Sequence, residues 1–236
     1  MSGGDRNNAD LGNGGGRIAE ARMRGWLAAY LVIGSANCRT EPLRVVEEAL
    51  AGGVTLVQFR EKGPGALTGE PLRQLALRLQ TACRSRGVPF IVNDDVELAL
   101  SIGADGVHVG QEDEAAARVR ARIGDRILGV SAHTYAEAEA AIRHGADYLG
   151  VGPIYPTASK ADAKVPQGPG IIRELRDRGI AVPLVGIGGI NAGLAGEVVR
   201  AGADGVAVIS AITQADDVRL AAETLAGASA MARLIQ

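Results

Sequence analysis

Eight short apolar runs, separated by stretches of helical spacing, constrain this chain of 236 residues more than any other feature. The runs are Leu27–Ile33, Thr55–Phe59, Pro89–Val92, Gly106–Val109, Arg126–Val130, Tyr148–Ile154, Pro183–Ile187 and Gly205–Ile209. Continuous apolar runs of this length read as strands covered on both faces, the habit of parallel sheets. Helical periodicity fills the intervals: Glu41–Leu50 with Thr40 as N-cap, Pro71–Ser85, a short Val96–Ile102, Glu114–Ile123, Ala136–His144, Ile171–Arg178, Ala192–Ala201 and Asp217–Leu225. Eight strands alternating with eight helices predict an α/β chain folded as a (β/α)8 TIM barrel. A doubly wound open sheet is the runner-up, but it does not normally use eight parallel strands of such regularity.

An internal repeat supports the count. Gly103-Ala104-Asp105, Gly145-Ala146-Asp147 and Gly202-Ala203-Asp204 each stand where a helix ends and a strand begins, with Gly52-Gly53-Val54 a looser copy. Glycine suits the end of the helix, and aspartate can bond backbone in the turn. The repeats fall on the face of the barrel opposite the expected active site, so the three aspartates are read as structural.

The hydrophobic share of 47% is enough for a large core, while aromatic residues at only 3% make that core mostly aliphatic. Lys+Arg 25 against Asp+Glu 27, without a basic block, argues against a nucleic-acid surface. No apolar run approaches the roughly 18 residues of a membrane span. Cys38 and Cys83 lack metal-ligand spacing, read as idle thiols, and suit a reducing cytoplasm. The Gly- and Asn-rich start has no signal-peptide core, so residues 1–24 are expected to be a disordered extension and 25–236 one barrel domain. Association into homo-oligomers stays open.

Catalytic groups in such barrels come from the C-terminal ends of strands. Val57-Gln58-Phe59-Arg60-Glu61-Lys62 places Gln58, Arg60 and Lys62 at every second position, hence on one face. Buried cations call for an anionic partner. Alternation turns Glu61 outward, to a structural role. Asp94 and Asp113 end adjacent strands, about 4.8 Å apart, where two carboxylates can share Mg²⁺ completed by waters and phosphate. The competing reading makes Asp95 and Asp113 N-caps of the following helices. Gly186-Ile187-Gly188-Gly189 and Ile209-Ser210-Ala211 close strands seven and eight, a recurrent phosphate site whose competing reading is a tight turn. Thr157-Ala158-Ser159-Lys160 opens a long connection to about Pro169, read as a lid or a solvated loop. His108 is read as a packed barrel residue. His133 has no accompanying carboxylate for a nucleophilic triad, His144 complements a helix dipole, and Ser131 is a hydrogen-bonding group for substrate.

These motifs resemble thiamine-phosphate synthase. The resemblance rests on Gln58-Phe59-Arg60-Glu61-Lys62, Asn93-Asp94, Gly110-Gln111-Glu112-Asp113, Ser131-Ala132-His133-Thr134, Gly152-Pro153-Ile154-Tyr155-Pro156-Thr157, Gly186-Ile187-Gly188-Gly189-Ile190 and Val208-Ile209-Ser210-Ala211-Ile212, in order from about Tyr30 to Ala222. Tyr30-Leu31-Val32-Ile33-Gly34-Ser35 is similar to the form in Bacillus-type members. The resemblance implies a transferase that joins 4-amino-2-methyl-5-hydroxymethylpyrimidine diphosphate to 4-methyl-5-(2-hydroxyethyl)thiazole phosphate, giving thiamine phosphate and diphosphate with Mg²⁺. It implies that Gln58, Arg60, Lys62, Asn93 and Lys160 hold the pyrimidine diphosphate, Asp94 and Asp113 hold Mg²⁺, and Ser131 meets the pyrimidine. It implies that Thr157, Ser159, Gly189, Ile209 and Ser210 hold the thiazole phosphate, with Phe59, Glu61 and Ala158 inside the substrate-binding stretches. Arg60, Lys62, Ser131 and Lys160 are the expected catalytic set. A thiazole tautomerase and a non-catalytic phosphate-binding barrel are the rivals; the first needs no metal–diphosphate site. A ribulose-phosphate epimerase would need metal-ligand histidines with a paired acid and base, which the chain does not offer.

Overall fold

The computed structural model describes residues 17–159 and 164–234. Eight parallel strands close in sequence order into one barrel, β8 pairing back onto β1. They are β1 Ala29–Ile33, β2 Leu56–Phe59, β3 Phe90–Asn93, β4 Gly106–Val109, β5 Ile127–Ala132, β6 Tyr148–Val151, β7 Leu184–Ile187 and β8 Val206–Val208. The helices are α1 Glu20–Trp26, α2 Pro42–Ala51, α3 Gly69–Ser85, α4 Val96–Ile102, α5 Ala116–Ile123, α6 Tyr135–Arg143, α7 Gly170–Asp177, α8 Ala192–Arg200, α9 Ser210–Thr213 and α10 Val218–Arg233. Helices α2 to α8 and α10 fill the eight predicted intervals; α1 and the four-residue α9 are additional.

Strand alternation sorts the core into two bodies. Leu31, Ile33, Val57, Phe59, Leu128, Val130, Leu149 and Val151 face outward and pack under the helices. Tyr30, Val32, Leu56, Ile127 and Tyr148 face inward and fill the barrel. Phe59 therefore stacks on Phe90 in the helix layer and does not line the cavity at the strand exits, unlike its expected place in the substrate-binding stretch.

The helix starts follow side-chain chemistry. Asp95, Thr134, Asn191 and Asp217 each accept the backbone N–H three residues on, satisfying a donor that the first helical turn leaves over. Glu41, not the expected Thr40, does this for α2, because Pro42 occupies the first helical position. Asp113 is not an N-cap: Ala115 precedes α5, and Asp113 instead accepts the Gly110 N–H at 2.7 Å.

The repeat aspartates are structural, as read. Asp105, Asp147 and Asp204 accept the N–H groups of Phe90, Leu128 and Leu184, each tying one strand entrance to its neighbour. Asp147 also pairs with Arg17 and Arg120, and Asp204 with Arg24 and Arg176.

Residues 17–24 correct the expected boundary at 24/25. Glu20–Trp26 forms α1, and its Met23, 1% exposed, packs with Leu27 against the inner core at the N-terminal end of the barrel. The physical reason is that a closed barrel leaves apolar side chains open at that end, and a short helix covers them. Residues 1–16 lie outside the described residues. No helix among the described residues is long and apolar enough to cross a membrane.

Candidate active site

The C-terminal rim encloses a cavity of about 480 Å³, within the usual range for small-ligand sites. Arg60, Lys62, Asn93, Asp94, Asp113, Ser131, Thr157, Ser159, Gly189, Ile209 and Ser210 all line it. Strands β2, β3 and β4 deliver the charged side, and the loops after β6, β7 and β8 the opposite side. Ser131 projects between them from β5.

Two cations and two carboxylates meet on the first side. Lys62 Nζ lies against Asp94 Oδ2 and 3.8 Å from Asp113 Oδ1. Arg60 is buried while still lining the cavity. Asp94 is held in the left-handed region at φ 61°, with its N–H donating to the His108 carbonyl at 2.8 Å. That conformation costs a non-glycine residue roughly 1–3 kcal/mol and recurs at functional sites. Here it aims the carboxylate into the cavity. Burial pushes the Asp94 carboxyl up to about 6, reinforced by Asp113 and opposed by Lys62. Burial also works to raise Asp113, but the hydrogen bonds from Asp94 and the Gly110 N–H, together with Lys62, outweigh it and hold Asp113 low. The two carboxyls therefore ionise in sequence, Asp113 first and Asp94 only toward neutral pH.

On the opposite side Ser159 Oγ donates to Ser210 Oγ at 3.3 Å, and the Ser159 N–H donates to Thr157 Oγ1 at 3.2 Å. Gly189 lies at φ 65°, and a Cβ there would overlap the Pro156 carbonyl oxygen. Only glycine lets the β7 loop come this close to the β6 loop. Small hydroxyl residues and glycines leave backbone N–H groups and hydroxyls as the ligands this side offers.

Several expected residues stand elsewhere. Gln58 does face the barrel interior, but it is 3% exposed, lies a layer below the cavity, and donates to Tyr30 Oη at 2.5 Å. Glu61 binds the Ser35 N–H and hydroxyl and the Leu67 N–H, so it braces the β2 loop against the segment after β1. Ala158 does not line the cavity. Lys160 lies outside the described residues.

A family model described as thiamine monophosphate synthase matches residues 29–212. The thiamine-phosphate synthase of Geobacillus kaustophilus is 62% identical over 217 residues, 92% of this chain and 98% of that protein. That of Bacillus cereus is 56% identical over 200 residues, 85% of this chain and 89% of its own length. The chain belongs to the thiamine monophosphate synthase family. Among solved structures, the thiamine phosphate pyrophosphorylase of Pyrococcus furiosus superposes with a TM-score of 0.80 at 35% identity, covering 89% of this chain and 98% of that one. The BexX/CysO complex of Amycolatopsis orientalis, at 22% identity and a TM-score of 0.63, shares the fold.

In this synthase-family barrel the cavity also has lining that the sequence reading passed over. His108 sits at the cavity floor, its ring between Tyr148 Oη and Ser131 Oγ at 2.8 and 2.9 Å. The reading as a merely packed barrel residue is thus corrected: it is packed and it also reaches the site. Its position three residues into an apolar run hid this, although strand alternation puts it on the same face as Gly106 and opposite Val107 and Val109. Gln111 donates to the Ser131 carbonyl at 2.5 Å, and Lys164 adds a cation from the long loop. Nothing in the spacing around Lys164 distinguishes it from a solvated loop lysine. His133 bonds the Gly152 carbonyl through Nδ1 at 2.5 Å, which ties the β5 and β6 rims together.

Proposed function

We propose that this barrel joins the pyrimidine diphosphate and the thiazole phosphate into thiamine phosphate, releasing diphosphate, and does so across the two sides of one cavity. The observation that carries the reading is the grouping of Arg60 and Lys62 with Asp94 and Asp113 on one side of the cavity, Lys62 against both carboxylates, opposite the Gly189–Ser210 side. Two anionic groups bound at once need two such subsites. A tautomerase or a passive phosphate binder would need only the second.

Asp94 and Asp113 fit Mg²⁺. Both Asp94 oxygens are buried without a hydrogen-bond partner of ordinary geometry, and no cluster of three protein metal ligands occurs among the described residues. One or two carboxylates, with waters and phosphate oxygens completing the shell, is the usual donor set for this ion. When bound, Mg²⁺ supplies positive charge that stabilises a departing diphosphate. Asp94 and Asp113 would hold it. Lys62, which otherwise balances Asp94, would turn to the phosphate oxygens, and Arg60 would accompany it from the cavity wall. Lys164, which lines the cavity, would add charge from the loop after β6, and Lys160 is assigned to the same diphosphate by the family resemblance alone. Asn93 lies beside Asp94 at the end of β3 and would orient the same group. Ser131 would meet the pyrimidine ring. Thr157, Ser159, Gly189, Ile209 and Ser210 would fix the remote phosphate, placing the thiazole nitrogen in line with the methylene carbon that loses diphosphate. Holding both partners in line supplies much of the rate.

Among the described residues no side chain is positioned as a nucleophile that would form a covalent intermediate, and in this reading the bond to diphosphate breaks with charge stabilised electrostatically by the residues above. The partners are then small molecules. A cytoplasmic setting suits the two unpaired thiols. Arg60→Ala and Lys160→Ala are expected to lower turnover by about 10²–10³ while the chain still folds. Steady-state rates with saturating Mg²⁺, beside circular dichroism of each variant, check this. Near-normal turnover in both would remove the leaving-group assignment.

A further inference from the structure

A continuous line of polar side chains crosses the interior of the barrel below the cavity. Gln58 Nε2 donates to Tyr30 Oη at 2.5 Å, Tyr30 Oη lies 2.8 Å from Tyr148 Oη, and Tyr148 Oη lies 2.8 Å from His108 Nδ1. His108 Nε2 ends the line 2.9 Å from Ser131 Oγ, at the cavity wall. Both tyrosines are buried to within 1% in an otherwise aliphatic barrel, where a phenol without a partner is costly. Burial raises the pKa of both, so each keeps its single proton near neutral pH.

That single proton sets the direction of the whole line. Tyr30 accepts from the Gln58 amide, so its own proton goes to Tyr148. Tyr148, having accepted, can donate only onward, to His108 Nδ1. An imidazole that accepts at Nδ1 carries its proton on Nε2 when neutral, and that N–H donates to Ser131 Oγ. The Ser131 proton is then free to point into the cavity. Turning the Gln58 amide over would reverse every bond and make Ser131 the donor to His108 Nε2, leaving only its oxygen lone pairs to face the cavity.

The strand sequence makes room for this line. A Cβ on Gly129 would overlap both the hydroxyl end of Tyr148 and His108 Nδ1, and one on Gly150 would lie 3.0 Å from His108 Cε1. Glycine within a strand weakens it, and close approach of another group is a recognised reason to keep one there. Gly129 and Gly150 are the positions that allow His108 to stand between Tyr148 and Ser131.

We propose that Tyr148, backed by Tyr30 and Gln58, is a positioning residue that fixes His108 as its Nε2–H tautomer and so presents Ser131 to the ligand as a hydrogen-bond donor. The ligand class this selects is a ring with an unprotonated acceptor nitrogen, such as an aminopyrimidine, over one that turns an N–H to the same place. This rests on the reading above that Ser131 meets the pyrimidine.

Two readouts test it separately. Long-range ¹H–¹⁵N correlation spectra of the histidine rings, with His108 assigned by its loss in His108→Asn, are expected to show Nε2–H and an unprotonated Nδ1 in the unaltered chain. In Tyr148→Phe the two tautomers are expected to mix, and kcat/KM for the pyrimidine diphosphate to fall roughly tenfold, the scale of one buried acceptor left without its donor. KM for the thiazole phosphate is expected to stay unchanged. Tyr30→Phe, one link further away, is expected to shift the tautomers in the same direction by less. An Nδ1–H tautomer in the unaltered chain overturns the proposal without any variant. So does a Tyr148→Phe chain with unchanged tautomer and unchanged kcat/KM. The spectrum of the resting protein needs no turnover, so absence of thiamine phosphate formation would count against the functional reading and not against the tautomer.

Discussion

At Asp94, backbone and charge act on the same atoms. Its φ of 61° turns the carboxylate into the cavity, and burial there pushes its pKa from 3.8 up to about 6. A folded-state pKa above the unfolded one means that the folded chain binds the extra proton between those values. The associated stability is fully present below 3.8 and is lost as pH rises through about 6. Metal binding runs the other way, since the carboxylate must be ionised. Mg²⁺ affinity is therefore expected to fall about tenfold between pH 7.5 and pH 5, measured by calorimetric titration, and Asp94→Asn is expected to remove most of that slope. A flat profile in the unaltered chain would separate Asp94 from the metal. Arg60, Lys62, Asp94 and Asp113 were legible in the sequence because charged residues at strand ends have few other uses in an apolar barrel. Gln58 was misplaced for a definite reason: a period of two fixes which face a side chain takes, but not its height along the barrel axis. Height follows from strand register, which the sequence does not state, and that register puts Gln58 beside Val32 and Ile91, below the cavity.

The eight strands and their helices were legible because each buried run is apolar throughout and each interval keeps a helical stripe. Element ends were less so. The tenth helix runs to Arg233, well past the expected Leu225, since Ala228, Ser229 and Ala232 pack without forming a strongly apolar stripe. Helix α1 escaped notice because Glu20–Trp26 has few apolar residues and a glycine, and nothing local requires it to be helical. Its anchor is tertiary. Met23 and Leu27 cover the N-terminal end of the inner core, while Arg24 reaches Asp204 and the Ala181 carbonyl. Removal of residues 1–24, expected from sequence to be a disordered extension, would strip Met23 from this cover. Met23→Ala is expected to cost about 2–4 kcal/mol, seen as a fall in Tm of about 4–16 °C by calorimetry, with kcat unchanged at a temperature where the chain is folded. An unchanged Tm would mean that α1 lies on the barrel without holding it.

Over the whole molecule, stability and chemistry occupy opposite ends of the barrel. Asp105, Asp147 and Asp204 secure the strand entrances with backbone contacts, and Asp147 and Asp204 with arginines as well, whereas the strand exits carry the clustered charges and the strained Asp94. The family match spans residues 29–212, the barrel from β1 into α9, so it takes in both the aspartates at the strand entrances and the charged groups at the strand exits. In the proposed function the two sides of the cavity serve two phosphorylated substrates in one transfer. Diphosphate release coupled to a colour or fluorescence readout, with thiamine phosphate followed by chromatography, tests it most directly. Release is expected only when pyrimidine diphosphate and thiazole phosphate are both present, in equal amount to thiamine phosphate, with EDTA abolishing it and added Mg²⁺ restoring it. No thiamine phosphate from the two substrates together, or undiminished formation in EDTA, would contradict it.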